Sequence, residues 1–533
     1  MPAALAQCSH DECASLVFAS TPACPNVHGS DEEGSVSANA VHRFVIEPAE
    51  ANPGVTAIID AASGQHTSRA QMVAGTKAAA AALAERGVQP EQRVMMCAAD
   101  TPAFLWWFWG AMWIGAVPVP VSTMVRQHDY AFLLSDSRAV GLVYSPPFAP
   151  EVLPAADGQP FLRWTIDDTD TGLLGDPSAA PEPFPATDDD VAFWLYTSGT
   201  TGQPKGAMHR HIDMSVCTGS YARAVLDMGP DDVVYSVPKL FFAYGLGNSG
   251  YFSSGTGAIA VLNADRPEPA AVADHVRSHR PTLFFSVPTN YAQLLAADLP
   301  EDTFSSVRQG ISGGEPLPPE IHRRFAERFG VEILDGIGTT ELAHIAISNR
   351  RGTSVPGTTG TPLDGYEVSL RDEHGNEVAD GEPGALHVAG GSVMTGYWNR
   401  TERTRAALQE RFLATGDTYM RNPDGTYTYM GRSDDMLKVG GIWVSPIEVE
   451  GCILEMDDVI LAAVVGDLDA EGLTKPHAFV VPTEGARRDT LAERVQAHVR
   501  ERLAAYKYPR WVDVVEELPL TATGKVKRYM LRD

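Results

Sequence analysis

One eleven-residue segment constrains this chain more than any other: Tyr196–Gly206, which reads Y-T-S-G-T-T-G-Q-P-K-G. It comes directly after the apolar run Val191–Leu195, so a strand is expected to lead straight into a loop of hydroxyls, glycines and one lysine. Glycines let the main chain approach a ligand closely, backbone N–H groups form an anion-binding concavity, and a lysine adds a point charge. The segment therefore predicts a loop that binds a polyphosphate.

Two other interpretations of this segment are weaker. The phosphate loop of nucleotide hydrolases has the pattern G-x-x-x-x-G-K-[ST], in which a hydroxyl next to the lysine holds a metal ion. Here Lys205 lies between Pro204 and Gly206, so that hydroxyl is missing. A flexible linker of Ser, Thr and Gly would not be expected to end on Pro-Lys-Gly.

The size and charge of the chain limit the kinds of protein to which it can belong. With 533 residues it exceeds what one hydrophobic core usually supports, so two or more domains are expected. The formal net charge of −27 at pH 7 argues against nucleic acid as a partner, because phosphate backbones require a basic surface. Six cysteines in a chain of this length do not form a disulfide framework. We expect a cytoplasmic enzyme.

The first 40 residues are predicted to be a loose N-terminal extension. They contain Cys8, Cys13 and Cys24 near His10 and His28, which invites a zinc site, but the spacings fit no common zinc pattern. The segment also lacks the basic start and apolar core of a signal peptide.

A tryptophan-rich stretch at residues 104–121 is the one segment that resembles a membrane span. It reaches the necessary length only if Pro118 and Pro120 are counted, and both break a helix. A buried helix that ends near Gly115, followed by a strand at Val117–Val121, is the better interpretation. No membrane association is predicted.

Alternating strand and helix patterns predict the fold of the N-terminal part. Thr67 or Ser68 caps an alanine-rich helix that runs to Arg86 and stops at Gly87. Such alternation implies parallel sheets with helices on both faces. The expected strands are Val94–Ala98, Gly141–Tyr144, Ala192–Tyr196, Val233–Val237, Ala258–Leu262 and Thr282–Val287, and the expected helices include Ala270–Ser278 and Pro319–Phe329.

Two later changes in the sequence pattern indicate a further subdomain and a further domain. Beyond Gly352 the chain has shorter strands and Gly-rich turns, which predicts a β-rich subdomain. After Gly431–Asp435 come strand patterns at Val459–Gly466 and Ala478–Val481 and a helix from about Leu491 to Leu503. The last part is therefore expected to be a separate small α+β domain on a short linker.

The glycine loop resembles the phosphate loop of the acyl-adenylate-forming (AMP-binding) superfamily, which includes acyl- and aryl-CoA ligases, firefly-type luciferases and adenylation domains of peptide synthetases. Four further motifs in family order extend the resemblance from about residue 45 to the C-terminus. It implies a large α/β AMP-binding domain at 41–432, a hinge at 433–435 and a small mobile α+β lid domain at 436–533.

By this resemblance, the nucleotide is held by the phosphate loop and by two later motifs. Gly313–Pro316 (G-G-E-P) would line the adenine face. Asp335–Glu341 (D-G-I-G-T-T-E) resembles the adenine-and-magnesium motif, in which Thr340 contacts phosphate and Glu341 holds the Mg²⁺ of MgATP through a hard oxygen ligand. The residues assigned to ATP or AMP are Thr197, Ser198, Gly199, Thr200, Thr201, Lys205, Gly314, Glu315, Pro316, Asp335, Gly336, Ile337, Gly338, Thr339, Asp417 and Arg432.

The ribose and hinge assignments come from two further segments, Thr415–Asp417 and Gly431–Asp435. In Thr415–Asp417 the carboxylate of Asp417 would accept both ribose hydroxyls. In Gly431–Asp435 the resemblance makes Arg432 a ribose or phosphate contact and Asp434 the hinge residue. Taken alone, Arg432 could equally form a surface ion pair of little energetic value.

The segment Lys438–Glu448 resembles the loop that forms the tunnel for the acyl acceptor. Gly440, Gly441 and Trp443 would line this coenzyme A tunnel, because glycines leave room for a thin pantetheine arm.

The segment Thr521–Arg528 matches the family's catalytic lysine loop, and the resemblance makes Lys525 catalytic together with Thr340 and Glu341. When a carboxylate attacks the α-phosphate of ATP, a positioned ammonium lowers the energy of the crowded negative transition state. The cation must then leave so that a thiol can approach, which a mobile small domain permits.

The acid pocket is predicted around Pro238–Asn248, where the family places its pocket wall. With the residues around the adenine motif, this segment resembles benzoate-CoA ligases in particular, and a flat slot beside Tyr244 suits a planar ring. Phe241 is expected to be core, and His344 is either pocket wall or an ordinary hydrogen-bonded histidine. The predicted pocket residues are Ala243, Tyr244, Ile337, Gly338, His344 and Ile345.

Together these features predict an ATP-dependent, AMP-forming aryl-CoA ligase with ATP, Mg²⁺ and coenzyme A as its small-molecule partners; a homodimer is left open. One alternative is a ligase for another aryl or short-chain acid, and another is an adenylating module that loads a carrier protein. No carrier domain follows the lysine loop, which favours the ligase. A catalytically dead scaffold would be expected to lose Lys205, Glu341, Asp417 or Lys525, and all four are present.

Overall fold

The computed structural model describes residues 38–197, 203–432, 435–439, 442–469, 472–520 and 526–532. Several predicted functional residues lie outside these ranges: Ser198, Gly199, Thr200, Thr201, Asp434, Gly440, Gly441 and Lys525. The same holds for residues 1–37 of the predicted N-terminal extension.

Short strands and helices alternate up to Ser348, and strands dominate beyond it. The strands are β1 (Thr56–Asp60), β2 (His66–Ser68), β3 (Arg93–Cys97), β4 (Val117–Pro120), β5 (Gly141–Tyr144), β6 (Trp164–Asp167), β7 (Val191–Thr197), β8 (Lys205–Arg210), β9 (Val233–Ser236), β10 (Ile259–Leu262), β11 (Leu283–Ser286), β12 (Gln309–Gly313), β13 (Ile333–Gly338), β14 (Ile345–Ser348), β15 (Thr361–Pro362), β16 (Tyr366–Arg371), β17 (Pro383–Gly390), β18 (Gly396–Tyr397), β19 (Leu408–Gln409), β20 (Phe412–Arg421), β21 (Tyr427–Arg432), β22 (Leu437–Val439), β23 (Ile442–Val444), β24 (Val459–Leu468), β25 (Thr474–Pro482) and β26 (Trp511–Val514).

The helices are short, as expected between sheet strands. The α-helices are α1 (Glu47–Ala51), α2 (Arg69–Glu85), α3 (Pro102–Trp113), α4 (Gln127–Ser137), α5 (Ala149–Ala156), α6 (His211–Cys217), α7 (Ala243–Gly245), α8 (Ser253–Thr256), α9 (Pro269–His279), α10 (Pro288–Ala296), α11 (Pro319–Phe329), α12 (Thr401–Ala407), α13 (Pro446–Ile453) and α14 (Leu491–Arg502). Segments His42–Ile46, Thr218–Arg223 and Leu246–Phe252 are π-helical, and 3₁₀ turns lie at Pro146–Phe148, Thr171–Leu173, Pro177–Ala179, Thr340–Leu342, Arg488–Thr490 and Arg528–Met530.

A nine-stranded sheet organises the N-terminal part in the order β15-β14-β13-β12-β11-β9-β10-β1-β2. The strands from β13 to β1 in this order run parallel, and β2, β14 and β15 join by antiparallel pairing. Leu283 and Phe285 of β11 belong to one hydrophobic cluster and Phe284 to another, because successive side chains point to opposite faces. The sheet is therefore covered on both faces, as predicted.

The tryptophan-rich stretch forms α3 and then β4, which confirms the predicted helix and strand. Helix α3 packs closely against the alanine-rich α2, since a Cβ on Gly110 would lie 2.7 Å from the Cβ of Ala79. Strand β4 belongs to a second, fully parallel sheet of order β4-β3-β5-β6. Within the described ranges, no helix combines the length and apolarity that crossing a bilayer requires.

The α2 helix begins as the sequence predicts. The Ser68 hydroxyl accepts from the Gln71 N–H and the Gln71 side chain accepts from the Ser68 N–H, which completes a capping box. Gly87, just beyond the helix, has φ +71°, the left-handed conformation that ends many helices.

The strand-rich region supplies strands to two further sheets. One has the order β16-β17-β20-β19 with β21 paired to β20, which confirms the predicted β-rich subdomain. The other, β18-β8-β7, carries Lys205 at the start of β8.

The C-terminal part has its own hydrophobic cluster, which includes Val449 of α13, Val464 of β24 and Val495 of α14. Its sheets are the β22–β23 pair and β24-β25-β26. Leu461 packs against the second cluster of the N-terminal part, and Arg532 pairs with Asp435 at 2.5 Å. The predicted fold class, a large α/β part followed by a small α+β part, is confirmed.

The first described residues belong to the packed structure. Asn39 and Ala40 are buried, and Asn39 Nδ2 donates to the main-chain oxygens of Met112 (2.8 Å) and Phe184 (3.1 Å). The sequence analysis had placed these two residues in the extension.

Candidate active site

Predicted nucleotide and acid residues from distant parts of the sequence meet at one edge of the nine-stranded sheet. These residues lie at or just after the carboxyl ends of three parallel strands, β9, β12 and β13. Ligands of open α/β sheets bind at this carboxyl edge, because loops there can diverge around them. The segments that follow the three strands are Pro238–Asn248, Gly314–Pro316 and Thr339–His344.

The predicted phosphate loop connects the antiparallel strands β7 and β8, with Thr197 paired to Lys205 across its base. The sequence predicted the first strand and the loop but gave no sign of the second strand. Two contacts fix the base of the loop: the Tyr196 hydroxyl donates to Asp136 Oδ2 at 2.8 Å, and Arg400 donates to Asp136 Oδ1 at 2.6 Å.

Lys205, the predicted phosphate-binding cation, lies over an aromatic ring. Its Nζ is 4.2 Å from the ring centroid of Tyr397, a cation–π contact. Burial lowers the pKa of Lys205; Glu341 opposes this shift, and Arg403 and Arg432 add to it. Lys205 therefore shares its surroundings with one carboxylate and two arginines.

Glu341, the predicted metal residue, accepts a hydrogen bond from the Tyr397 hydroxyl at 2.6 Å to Oε1. Burial, followed by the charge of Glu341, raises the pKa of Tyr397 well above its ordinary value, so Tyr397 remains a donor at neutral pH. Carboxylate and threonine oxygens are the hard ligands that Mg²⁺ accepts, usually from one or two carboxylates together with substrate phosphates. Glu341 and the adjacent Thr340 therefore fit an ion that arrives with ATP.

The turn that carries Glu341 is held through its own main chain. Ala343 has φ +61°, so the turn takes a conformation that needs support from its surroundings. Four successive carbonyl oxygens receive that support from four different donors: Thr340 from His209 Nε2 (2.7 Å), Glu341 from the Met394 N–H (2.9 Å), Leu342 from Ser392 Oγ (2.7 Å) and Ala343 from the Tyr251 hydroxyl (3.1 Å).

His209 links this turn to the strand that begins with Lys205. Its Nδ1 lies 3.0 Å from Asp213 Oδ2, and both side chains are fully buried. Arg210 holds the other oxygen of Asp213 at 2.9 Å. The phosphate-loop strand and the turn of Glu341 are thus joined by buried polar contacts.

The predicted adenine edge contains buried polar atoms that have no hydrogen-bond partner among the described residues. These atoms are the Ser312 Oγ, Asp335 Oδ1, Thr339 Oγ1 and the Tyr244 hydroxyl. Buried polar groups are nearly always satisfied in native proteins, so such a concentration suits a polar ligand or ordered water. Burial also raises the pKa of Asp335 to about 8, opposed by the N–H groups of Leu317 and Gly336.

Glu315, in the predicted adenine-face segment, is oriented by Thr289 of α10. The Thr289 hydroxyl donates to Glu315 Oε2 at 2.9 Å. The preceding Gly314 has φ +89°, so a side chain at that position would strain the turn that follows β12.

The predicted ribose residues Asp417 and Arg432 face each other across β20 and β21. Arg432 Nη1 donates to Asp417 Oδ1 at 3.0 Å and to the Thr415 carbonyl at 3.2 Å. Asp417 is only 5% exposed, whereas the Arg432 side chain is 37% exposed, so this ion pair is buried on the carboxylate side alone. Gly416 has φ +78°, and a Cβ there would lie 2.8 Å from Arg432 Nη2.

The predicted pocket wall forms around Tyr244 and His344, whose ring centroids are 5.5 Å apart. Tyr244 meets Phe285 edge-on at 6.1 Å. A Cβ on Gly313 would lie 3.2 Å from Tyr244 Cζ, so the ring rests on the main chain at the end of β12. Ala243 precedes Tyr244 in α7, and Phe241 is buried, as predicted.

The β13–β14 hairpin supplies the other pocket residues. Gly338 pairs with Ile345, and a Cβ on Gly338 would lie 2.2 Å from the carbonyl oxygen of His344. Ile337 is half-buried and Ile345 is buried. One hairpin therefore holds the predicted metal turn and part of the predicted acid pocket.

His344 is fixed by a hydrogen bond as well as by packing. Its Nε2 lies 3.0 Å from Asn248 Oδ1, while Asn248 Nδ2 donates 3.1 Å to Ser236 Oγ, so Nε2 carries the proton. Burial lowers the pKa of His344 to about 3, so the ring is neutral at physiological pH. His344 is therefore hydrogen-bonded, and its role as a pocket wall stays a prediction. Asn248 belongs to a π-helical segment, a feature frequent at functional sites.

Sequence reasoning missed His209, Asp213, Ser392 and Tyr397. His209, Ser392 and Tyr397 contact the turn of Glu341, and Asp213 contacts His209. No spacing rule links such distant positions to the motif. The only available signal was that Tyr397 follows a glycine in a short segment rich in aromatics, G-Y-W.

The predicted lysine loop is bracketed by described residues. Leu520 and Val526 form an antiparallel bridge, and the Lys527 N–H donates to the Pro519 carbonyl at 2.7 Å. Beyond the loop, Arg528 pairs with the buried Glu450 of α13 at 2.8 Å. Lys525 is thus carried on the C-terminal part, and its predicted role stays a prediction, as does that of Trp443 at the centre of β23.

Comparison with known families assigns both parts of the chain. Residues 46–398 match the family described as AMP-binding enzyme, and residues 448–525 match the AMP-binding enzyme C-terminal domain.

The relatives are aromatic acid ligases. The benzoate–CoA ligase of Thauera aromatica is 44% identical over 456 residues, 84% of this chain and 86% of that protein. The crystal structure of a benzoate CoA ligase from Burkholderia xenovorans LB400 is 41% identical, covers 93% of this chain and 100% of its own, and superposes with a TM-score of 0.86. The anthranilate CoA ligase AuaEII in complex with anthranoyl-AMP is 34% identical, with a TM-score of 0.89 and coverage of 93% and 96%.

Proposed function

We propose that this chain, which belongs to the AMP-binding enzyme family, is an ATP-dependent, AMP-forming ligase that joins benzoate or a close analogue to coenzyme A. Relatives that are benzoate–CoA ligases support the acid–thiol ligase class. The proposal that the acid is aromatic rests on the aromatic wall formed by Tyr244 and His344. This wall packs against the main chain of Gly313 and Gly338, beside the nucleotide motif. A flat aromatic slot suits a planar ring better than a flexible chain.

The reaction has two half-reactions. A benzoate carboxylate oxygen attacks the α-phosphorus of ATP, the bond from that phosphorus to pyrophosphate breaks, and benzoyl-AMP forms. The sulfur of coenzyme A then attacks the acyl carbon, its thiol proton is lost to solvent, and the C–O bond to AMP breaks. The products are benzoyl-CoA, AMP and pyrophosphate.

Each proposed role in this reaction belongs to a different group of residues. Lys205 and the loop before it bind phosphates, the Asp417–Arg432 pair receives the ribose, and the wall around Tyr244 orients the acid. Lys525 supplies positive charge at the attacked phosphate in the first half-reaction. Mg²⁺ held by Glu341 would neutralise phosphate charge when bound with ATP.

The domain arrangement belongs to the same proposal. A hinge at 433–435 would let the C-terminal part, 436–533, present Lys525 for adenylation and then the Gly440–Gly441 segment and Trp443 for thioester formation. We further propose that the enzyme acts in the cytoplasm, because ATP and coenzyme A are available there.

The deciding experiment measures AMP and acyl-CoA formed from ATP, Mg²⁺ and coenzyme A across a panel of acids. The panel contains benzoate, 2-aminobenzoate, 4-hydroxybenzoate, cyclohexanecarboxylate, hexanoate and acetate. Strong preference for benzoate, with one AMP for each thioester, is the expected result. Preference for hexanoate or acetate would refute the flat-slot argument. Pyrophosphate exchange with benzoate but no thioester would instead favour a carrier protein as acceptor.

A further inference from the structure

Tyr397 contacts both of the charged groups proposed to bind the phosphates of the nucleotide and their metal ion. Its hydroxyl donates to Glu341 Oε1 at 2.6 Å, and the face of its ring lies 4.2 Å below Lys205 Nζ. One side chain therefore contacts both the predicted metal carboxylate and the predicted phosphate cation.

Lys205 and Glu341 are close enough to influence each other, since Glu341 is the largest charge acting on Lys205. Yet none of the ion pairs found within the described ranges joins them. In a partly desolvated site, opposite charges at contact distance attract strongly. A direct pair would neutralise both groups, and MgATP would have to break it before binding.

The position of Tyr397 is set by the backbone and not by a mobile loop. Strand β18 pairs with β8, so that Tyr397 faces Ala207, two residues after Lys205. The Tyr397 N–H also donates to Thr404 Oγ1 at 3.0 Å, and the residue is 7% exposed. The ring therefore keeps its place whether or not nucleotide is present.

We propose that Tyr397 is a positioning residue for adenylation: its ring holds Lys205 away from Glu341, and its hydroxyl orients Glu341 toward Mg²⁺. This rests on the proposed function, because it concerns the same nucleotide site. Each charged group has an uncharged partner in Tyr397, and both keep their full charge for the phosphates and their metal ion. The neutral hydroxyl satisfies one carboxylate oxygen without cancelling the negative charge of Glu341.

Two substitutions separate the roles of the hydroxyl and the ring. Tyr397→Phe keeps the ring under Lys205 and removes the donor to Glu341. Tyr397→Leu removes both, so Lys205 can approach Glu341. Tyr130→Phe is the matched control, because Tyr130 is also a buried tyrosine but donates to the Ser122 carbonyl (2.9 Å) in another hydrophobic cluster.

The measurement is ATP binding by isothermal titration calorimetry with Mg²⁺ and with EDTA, in the absence of any acid, so that no turnover occurs. The quantity compared is the ratio of ATP affinities with and without Mg²⁺. In Tyr397→Phe this ratio should be about tenfold smaller than in the parent chain, because one hydrogen bond to a charged group is lost. AMP binding without metal should not change. In Tyr397→Leu, metal-free ATP should also bind more weakly, because Lys205 is now paired with Glu341.

A double-mutant cycle tests whether Tyr397 acts through Glu341. In a Glu341→Gln background, adding Tyr397→Phe should cause no further loss of the Mg²⁺ effect. Unaltered Mg²⁺ dependence in Tyr397→Phe, with the parent chain binding MgATP, would overturn the proposal for Tyr397 alone. Equal weakening of AMP and MgATP would also overturn it, because that indicates general damage to the site. Failure of the parent chain to bind MgATP would instead overturn the proposed function.

Discussion

The turn around Glu341 and the lysine-bearing C-terminal part differ in how firmly they are held. At the turn, four successive carbonyls accept hydrogen bonds from four donors on three separate segments. The C-terminal part has its own hydrophobic cluster, and its contacts with the rest include Leu461 on the second cluster and the Arg532–Asp435 pair.

This difference matches what two successive half-reactions demand. The groups that hold nucleotide must stay in one geometry through both steps, and a rigid support keeps them there. A group needed only in the first step can be carried on a part with a separate core, because such a part can move without disturbing the nucleotide site. Four predictions test this comparison, from the largest expected effect to the smallest.

Replacing Lys525 by Ala should reduce the rate of benzoyl-AMP formation by about 10²–10³-fold, the scale of losing one preorganised electrostatic stabiliser. Thioester formation from supplied benzoyl-AMP should be spared, since that step does not need the charge. Stopped-flow or quench measurements of each half-reaction separate the two. Lys527→Ala is the control for a nearby positive charge. Equal loss of both half-reactions in Lys525→Ala would contradict the role proposed for the C-terminal part.

Replacing His209 by Ala should lower adenylation by about ten- to a hundredfold, because the Thr340 carbonyl loses its donor and Asp213 is left buried beside a cavity. His498 provides the matched comparison in the C-terminal part, since its Nε2 lies 3.0 Å from the Cys452 carbonyl. His498→Ala should lower the melting temperature with little change in adenylation at 25 °C. Similar kinetic effects of both substitutions would show that the turn is no more critical than the C-terminal part.

Replacing His344 by Ala should raise the KM for benzoate about tenfold, as expected for lost packing in an apolar pocket, and leave AMP binding unchanged. The ring packs against Tyr244, Tyr221 and Phe252, with centroid distances of 5.5, 5.6 and 4.3 Å. Steady-state kinetics with benzoate and calorimetry with AMP make the distinction. A larger effect on AMP than on benzoate would remove His344 from the acid pocket.

Replacing Asp335 by Asn should change how stability depends on pH. Between about pH 4 and pH 8 the folded chain keeps the Asp335 proton that the unfolded chain has released, because burial raises this pKa from 3.8 to about 8. The free energy of unfolding therefore falls as pH rises through this window, by up to about 1.4 kcal/mol for each pH unit. Asp335→Asn removes that contribution.

Urea unfolding of parent and variant at pH 6 and pH 7 checks this expectation, with Asp364→Asn as the control at an exposed carboxylate. The stability of Asp335→Asn relative to the parent should increase from pH 6 to pH 7. A constant difference between them would show that Asp335 is ionised in the folded chain.

Local sequence patterns predicted several helices and strands of the fold. The capped helix α2, the helix and strand of the tryptophan-rich stretch, and helix α11 at Pro319–Phe329 follow from caps, breakers and periodicity, which act between neighbours in sequence. The motif residues Asp335–Glu341 and Thr415–Asp417 were also recognisable, because each motif is contiguous.

The contacts that hold those motifs were not predictable in the same way. The sequence by itself determined which short segments carry hydroxyls, glycines and charges suited to a nucleotide, since that depends only on local composition and spacing. The tertiary structure was needed to show that Tyr397 contacts both Lys205 and Glu341, that His209 supports Thr340 and that Asn248 orients His344. The residues of these four contacts lie 56, 96, 131 and 192 positions apart, and sheet pairing and packing alone bring them together.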